Sequence, residues 1–504
     1  MRKKKVLYHS DSAIAKTGFG KISRNILSYL YKTGKYDLVH YCCGSPASHP
    51  DLQRTPWRSI GTIFSTQSEI DNWVSQFPPP EREIHLRNLS YGQVFIDKVI
   101  HDERPDIYIG AQDIWAFNSF NVGWWNKPTC VIWTTLDSLP LLPYAVENAP
   151  KIKNYWMWSS FATKEMHRLG HKHVQTMHGP MDVSNFKRLA DAERAALRKE
   201  NNIEQNAFIG GFVFRNQLRK SVPNLLEGYK LWKQNRPTLK NTYLLFHTSM
   251  VEGWNIPRLV GEYGINHKEI LLTYICKNCK RYQIKSYDDR TDASQPLKIH
   301  DKPCKYCGAQ DSLVTPSVHF GVDERQLNEI YNFMDMEFCC ISSGGQELTI
   351  MEAKLTGLIT AVTNYSCGEE ACMEGAASLP LDWSEYREHG TEFRKASTLP
   401  SSIAKQLNKV YDMPQLKRRE MGEQAREWTI KNYALDSIGL EFEKFIDAAP
   451  FLDENVTFDV PKANPEAVIS DVENDAEWVT LLYRNVLGRE PDQEGFNNWM
   501  KQLV

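Results

Sequence analysis

Four cysteines fall in two tight pairs, Cys276-Lys-Asn-Cys279 and Cys304-Lys-Tyr-Cys307, with 24 residues between the pairs. Thiolates at this spacing converge tetrahedrally on one zinc ion, and a site filled entirely by protein ligands staples a fold instead of acting as a Lewis acid. The spacing predicts a structural zinc in a ribbon inserted at about residues 271–314. From the first to the last of these cysteines there are eight Lys or Arg against four Asp, with Tyr282, Tyr287, His300 and Tyr306 interleaved. The zinc and its thiolates remove two charges, so the insertion stays net positive. Such a surface suits a phosphate backbone with stackable bases, and equally a solvated ribbon face.

A second set of residues has the chemistry of a phosphate site. Arg215 and Lys220 stand in Phe212-Val-Phe-Arg-Asn-Gln-Leu-Arg-Lys220, just past an apolar strand-like run. The guanidinium offers a two-pronged fork and the ammonium a compact charge, together suited to neutralising a departing diphosphate, although a surface cluster has the same composition. Further on, Ile341-Ser-Ser-Gly344-Gly345-Gln346-Glu347 leads toward Glu352 at a strand-to-helix junction. Amides at a helix start, approached closely over glycine, bind anions. In the first half, Thr17-Gly18-Phe19-Gly20 forms a polar loop after the first strand, and Asp113 and Asp137 follow later strands. Either Asp can also serve as a plain cap. Trp115 and Trp133 read as core residues.

The elements that must position these groups alternate. Val6-Leu-Tyr-His9, Asp106 to Gly110, Cys130 to Trp133 and Asn154 to Trp158 read as strands separated by helical segments. After a charged helix at Asp191 to Asn202 the pattern restarts with Ala207 to Phe214, a helix at Val222 to Lys233, and strands at Tyr243 to His247, Phe338 to Ile341 and Leu358 to Val362. Alternation of this kind predicts α/β architecture, with two doubly wound, Rossmann-like domains. The expected boundaries are 1–190 for an acceptor domain and 191–450 for a nucleotide-sugar domain, with the active site in the cleft between them. An acidic linker spans 451–477 and a small helical domain 478–504. From Asp453 to Glu477 there are eight acidic residues and one Lys, and short helical patterns follow at Trp478 to Tyr483 and Gly495 to Trp499.

At 504 residues the chain is long enough for two cores. Its 60 basic and 62 acidic residues leave no global field to draw it to nucleic acid or anionic lipid, so any such attraction must be local. No apolar run is long enough to span a bilayer. The basic start, Met1-Arg-Lys-Lys-Lys5, meets His9, Ser10 and Asp11 before an apolar signal region can develop. The expected location is the cytoplasm, with reduced thiols.

The order of these pieces resembles the retaining GT-B-fold glycosyltransferases, the group-1 (family-4-like) transferases that include sucrose synthases and many bacterial hexosyl and mannosyl transferases, over residues 5–450. The resemblance also takes in Met177-His-Gly-Pro-Met-Asp-Val-Ser-Asn-Phe186, similar to the family's link into the second domain, and Phe320-Gly-Val-Asp-Glu-Arg-Gln-Leu327. It implies that Arg215 and Lys220 hold the donor diphosphate, that Glu352 holds the nucleotide ribose, and that Gly18, Phe19 and Gly20 approach phosphate and acceptor. It implies transfer of a hexose from a UDP-hexose such as UDP-glucose, by front-face attack and without a catalytic metal. The family's first paired glutamate falls at position 344, which is Gly here, and Glu347 is the replacement on offer. Where the family carries a histidine after the strand ending at Trp133, Asp137 is the candidate to meet sugar or acceptor, with Asp113 behind it.

The insertion together with Gly253-Trp-Asn-Ile-Pro257 resembles transferases carried by bacteriophages. That likeness implies hydroxymethylated pyrimidine in phage DNA as the acceptor, in the host cytoplasm. A glycan or protein hydroxyl is the alternative acceptor, and a sugar- or nucleic-acid-binding module without activity is the other class of function. The tail resembles a small helical domain of unknown function attached to bacterial surface proteins and glycosyltransferases.

Overall fold

The structure is a computed structural model that describes residues 2–250, 252–286, 303–317, 320–458, 476, 479, 480, 483 and 491–503. Its chain divides into two compact units: Met1–Thr134, Asn148–Tyr155 and Phe442–Val504 form the first, and Thr135–Glu147 and Trp156–Glu441 the second.

Seven strands make the first sheet: β1 (Lys4–Asp11), β2 (Tyr36–Pro46), β3 (Arg58–Ile63), β4 (Ile107–Ala111), β5 (Thr129–Thr134), β6 (Asn154–Met157) and β7 (Gln175–Thr176), in the order β3-β2-β1-β4-β5-β6-β7. The central strand β1 pairs in parallel with both β2 and β4. Val6, Leu7 and Tyr8 are all fully buried, as a strand covered on both faces requires. Parallel neighbours need a crossover, which the helix Gly18–Thr33 supplies. Thr17 caps it by accepting from the Gly20 amide at 3.0 Å, and Ile22, Ile26, Leu27 and Leu30 form its buried stripe.

The second sheet repeats the plan. β8 (Phe208–Val213), β9 (Thr242–His247), β10 (Ile270–Cys276), β13 (Met336–Cys339), β14 (Ile359–Thr363) and β15 (Ser378–Leu381) run in the order β10-β9-β8-β13-β14-β15. This is again the doubly wound order, third strand to first and then fourth to sixth. Two short antiparallel strands from the insertion, β11 (Tyr282–Ser286) and β12 (Leu313–Val314), pair with β10. A separate hairpin joins β16 (Trp383–Arg387) and β17 (Arg394–Thr398). Period-two alternation in β8 divides the core: Phe208, Phe212 and Phe214 pack with Trp232 and Leu244, while Ile209 and Val213 pack with Met181, Phe186 and Leu245.

Two expectations need adjusting. The strand foreseen at Phe338 to Ile341 is Met336–Cys339, because Cys340 and Ser342 turn their backbone bonds to the Arg219–Ser221 loop instead of a neighbouring strand. Trp133 is fully buried as expected, but Trp115 is 43% exposed: the short turn Ile114–Ala116 points its two apolar flanks inward and the indole outward. Tyr287, His300 and most of the expected acidic linker and of the Trp478 to Tyr483 helix lie outside the described residues. A helix at Gln493–Leu503 contains the Gly495 to Trp499 pattern.

Candidate functional site

In a doubly wound sheet, ligands bind beyond the carboxyl ends of the strands where the strand order reverses. In the second unit that point lies between β8 and β13. The loops leaving these strands are zipped together: Ser221 N donates to Cys340 O at 3.0 Å and Ser342 N to Arg219 O at 2.8 Å. The crossing brings Arg219 and Lys220 against Glu347. Lys220 Nζ donates to Glu347 Oε2 at 2.5 Å, and Arg219 Nη1 donates to Glu347 Oε1 and, at 3.2 Å, to the Ser343 carbonyl.

Burial alone pushes the Glu347 carboxyl up, but Arg219 and Lys220 outweigh it and hold it at about 2. Glu347 in return raises the Arg219 guanidinium against the effect of its burial. Two cations around one ionised carboxylate leave a net positive site at the strand ends. Lys220 and Glu347 are buried, whereas the Arg219 side chain is 38% exposed and is the member that faces outward.

Arg215 stands apart from this trio. It is half exposed, and its Nε and Nη2 both donate to Glu252 Oε1, at 2.9 and 2.7 Å. The loop between is rigid: buried Asn216 donates to the Ser249 and Trp254 carbonyls at 2.9 and 2.8 Å and accepts from Trp254 N at 2.8 Å. Glu352 lies buried in the helix Leu348–Leu355, where it accepts the Tyr331 hydroxyl at 2.8 Å. Nearby in β13, Glu337 accepts from Val213 N at 2.8 Å, and burial raises its carboxyl well above the usual range.

The glycine pair allows close approach. A Cβ on Gly344 would come within 2.7 Å of Glu347 Oε1, and one on Gly345 within 2.4 Å of the Thr135 side chain. The chain of Thr135–Glu147, part of the second unit, therefore lies directly on this loop. Asp137 is held there: Ser343 Oγ donates to its Oδ2 at 2.9 Å and Ser138 Oγ to its Oδ1 at 2.7 Å. Ser366 Oγ lies 2.7 Å from both the Asp137 and the Gly344 carbonyls and shares its one proton between them. Gln346 is fully engaged elsewhere, since both ends of its carboxamide bond the Gly179 backbone at 2.8 Å.

Asp113 is placed in the first unit, past the end of β4, where its amide donates to Gln112 Oε1 at 3.0 Å. Gln112 Nε2 reaches Asp11 Oδ1 at 2.7 Å, and Thr17 Oγ1 reaches Asp11 Oδ2 at 2.6 Å. Asp113 thus shares a strand-end cluster with Gly18–Gly20, which are not the expected loop but the first turn of the helix capped by Thr17, and Gly20 is required there because a Cβ would meet the Ala15 carbonyl at 2.6 Å. The structure thus places Asp137, Lys220, Gly344, Gly345 and Glu347 together in the second unit, and Asp113, Gly18, Phe19 and Gly20 in the first. Sequence reasoning passed over Arg219, Ser138, Ser343 and Lys395. Arg219 had a signal, its place beside Lys220, but nothing in the sequence marks Lys395.

The four cysteine sulfurs all lie within 4.8 Å of one another. Cys276 Sγ and Cys307 Sγ are 3.7 Å apart, and Cys279 Sγ and Cys304 Sγ 3.8 Å. A tetrahedron of thiolates at the usual zinc–sulfur length of about 2.3 Å has edges of about 3.8 Å, so the donor set fits a zinc ion. Around it, Tyr282 is buried with its hydroxyl on Glu329 at 3.0 Å, and Tyr306 donates to Glu200 at 2.8 Å under the Arg281 guanidinium. Both rings are thereby taken up by the protein's own packing.

Among solved structures, a glycosyltransferase from Rickettsia africae ESF-5 is 12% identical, covering 89% of this chain and 98% of that one with a TM-score of 0.58. Sucrose-phosphate synthase from Thermosynechococcus elongatus is 14% identical, covering 88% and 98%, with a TM-score of 0.60. Anabaena HepE in complex with UDP-glucose is 10% identical, covering 88% and 99%, with a TM-score of 0.57. The fold is GT-B. The GT-B likeness takes in nearly the whole of each of these chains and 88 or 89% of this one. The tail has its own match: residues 465–504 fit a family described as a domain of unknown function, DUF4214. No curated protein matches the chain. No helix among the described residues is long and apolar enough to cross a membrane.

Proposed function

We propose that this chain is a glycosyltransferase that moves a hexose from a nucleotide sugar, with UDP-glucose the leading donor, onto a hydroxyl with retention of configuration. The observation that carries the reading is the net positive Arg219–Lys220–Glu347 trio at the switch point of a GT-B sheet. The donor diphosphate lies against Arg219 and Lys220, with Arg215 swinging from Glu252 to join them, and the ribose hydroxyls meet Glu352. Glu347 keeps the two cations fixed before the donor arrives, so little reorganisation is needed as the leaving group gains charge. Gly344 and Gly345 admit the sugar, and a leaving phosphate oxygen takes the acceptor proton. Asp113 and the Gly18–Gly20 helix start belong to the acceptor side.

In the same reading, Cys276, Cys279, Cys304 and Cys307 hold a structural zinc ion that fixes β10 to β12. The acceptor we favour is hydroxymethylated pyrimidine in DNA, supported by Lys277, Lys280, Arg281 and Lys305, which are exposed on the Cys-bearing module. Phosphates meet this basic face while an extruded base presents its hydroxyl.

The test combines donor binding and product mass. Calorimetry should show UDP and UDP-glucose binding. Incubation with UDP-glucose and hydroxymethylcytosine duplex, followed by digestion to nucleosides, should give a hexose increment on the base. Donor hydrolysis without that increment would move the acceptor to a glycan or protein hydroxyl, and absence of donor binding would overturn the transferase reading.

A further inference from the structure

One buried lysine in the second unit is used by neither the diphosphate site nor the core. Lys395, on β17, is 7% exposed and lies against Asp137 through two serines that are distant from it in sequence. Its Nζ donates to Ser138 Oγ at 2.6 Å and to Ser343 Oγ at 2.8 Å, and lies 3.9 Å from Asp137 Oδ1. An ammonium has donors and no acceptor. Each serine oxygen must therefore receive a hydrogen from Lys395 and direct its single proton elsewhere, and in both cases the partner is Asp137. The lysine fixes the polarity of both hydroxyls.

The consequence falls on Asp137. A carboxylate has roughly four acceptor positions. Two are filled by the serines, one on each oxygen, which locks the plane of the group. The side chain is still 38% exposed, beside the Gly344–Gly345 loop. What it offers a ligand is acceptor capacity only, because the hydroxyl protons around it are already committed. Such a face repels phosphate and takes hydroxyl donors.

We propose that Lys395 is a positioning residue which, through Ser138 and Ser343, presents Asp137 to the hydroxyls of the transferred sugar. This rests on the nucleotide-sugar reading above and assigns its hydroxyl-recognition element to three separate chain segments. It separates the labour of the site: Arg219 and Lys220 take the diphosphate, and the Lys395 relay takes the hexose.

The two halves of the donor can be probed separately, by titrating the full chain with UDP and with UDP-glucose. Lys395→Met should weaken UDP-glucose by about ten- to a hundredfold, the worth of a hydrogen bond to a charged group, and leave UDP unchanged. The retained UDP affinity also shows that the variant is folded. The Ser138→Ala, Ser343→Ala double variant, which keeps the lysine but breaks the relay, should show the same selective loss, and Lys395→Arg, which preserves the donors, a smaller one. If Lys395→Met weakens both ligands equally, or neither, while wild-type protein binds both, the relay is overturned and the transferase reading stands. If Lys395→Met fails to fold, the double serine variant decides by the same two titrations. If wild-type protein binds neither ligand, both proposals fall.

Discussion

The two sheets carry the same doubly wound order, and each has a carboxylate at the carboxyl end of a central strand, Asp11 closing β1 and Glu347 following β13, yet the two carboxylates are treated in opposite ways. In the first unit Asp11 is met by neutral donors, Thr17 and Gln112, and burial pushes its carboxyl above the usual range. In the second, Glu347 is at least as buried but is gripped by Arg219 and Lys220 and driven down to about 2. The difference lies in which residues follow the first strand. The loop after β1 contributes a glycine-rich helix cap, and the loop after β8 contributes two cations. One sheet plan thus sets a carboxylate among neutral donors at one strand end and between two cations at the other, which teaches that the framework fixes where a site lies and the loops fix its electrostatics.

The sharpest way to break this comparison is to remove the charge that distinguishes the second unit. Lys220→Met leaves Glu347 buried with one cation, and breaking a buried pair costs about 3–5 kcal/mol. The Lys220→Met, Glu347→Met double variant should recover much of that loss in thermal or urea unfolding. If the two variants are equally unstable, the pair is uncoupled and the contrast between units fails.

Acid should act on the two units with opposite sign. Glu347 ionises near 2 in the folded chain against 4.5 when unfolded, so its contribution is complete above about pH 5 and is lost as pH falls toward 2, at roughly 3 kcal/mol in full. Asp11, with its carboxyl raised, contributes in reverse: its cost is absent in acid and appears as pH rises through its folded value. Hydrogen exchange followed peptide by peptide from pH 6 to 3 should show Glu347→Gln reducing the acid sensitivity around β8 and β13. Asp11→Asn should stabilise the β1 region at pH 6 and change little at pH 3. The same direction in both regions would contradict the comparison.

The smallest stability effect belongs to Arg215. Its pair with Glu252 is half exposed, so Arg215→Ala should cost under about 1 kcal/mol of stability. Donor turnover in the same variant should fall to background. A wild-type rate would confine the cationic site to Arg219 and Lys220.

Several of these features were legible in the residues. Alternating apolar runs and helical stretches specified two doubly wound sheets, because strands buried on both faces advertise themselves as continuous apolar runs such as Val6-Leu-Tyr8 and Phe212-Val-Phe214. The Cys pairs specified their own convergence, since three-residue spacing sets two thiols side by side. Lys220 and Glu347 were each visible as candidates, but their pairing was not: 127 residues separate them, and only the backbone bonds between Arg219–Ser221 and Cys340–Ser342 set them 2.5 Å apart. Trp115 was misread because a single turn, not hydrophobicity, decides which way an indole faces.

What the sequence determined by itself is therefore local: element types, the order of the sheets, the metal-ligand spacing and the cationic run after β8. Tertiary structure alone decided that Asp137 joins Ser343 and Lys395 and that Gln346 is spent on Gly179. The physical reason is that periodicity and spacing act over a few residues, whereas a buried polar group takes its partners from whatever the packed chain brings within hydrogen-bonding reach.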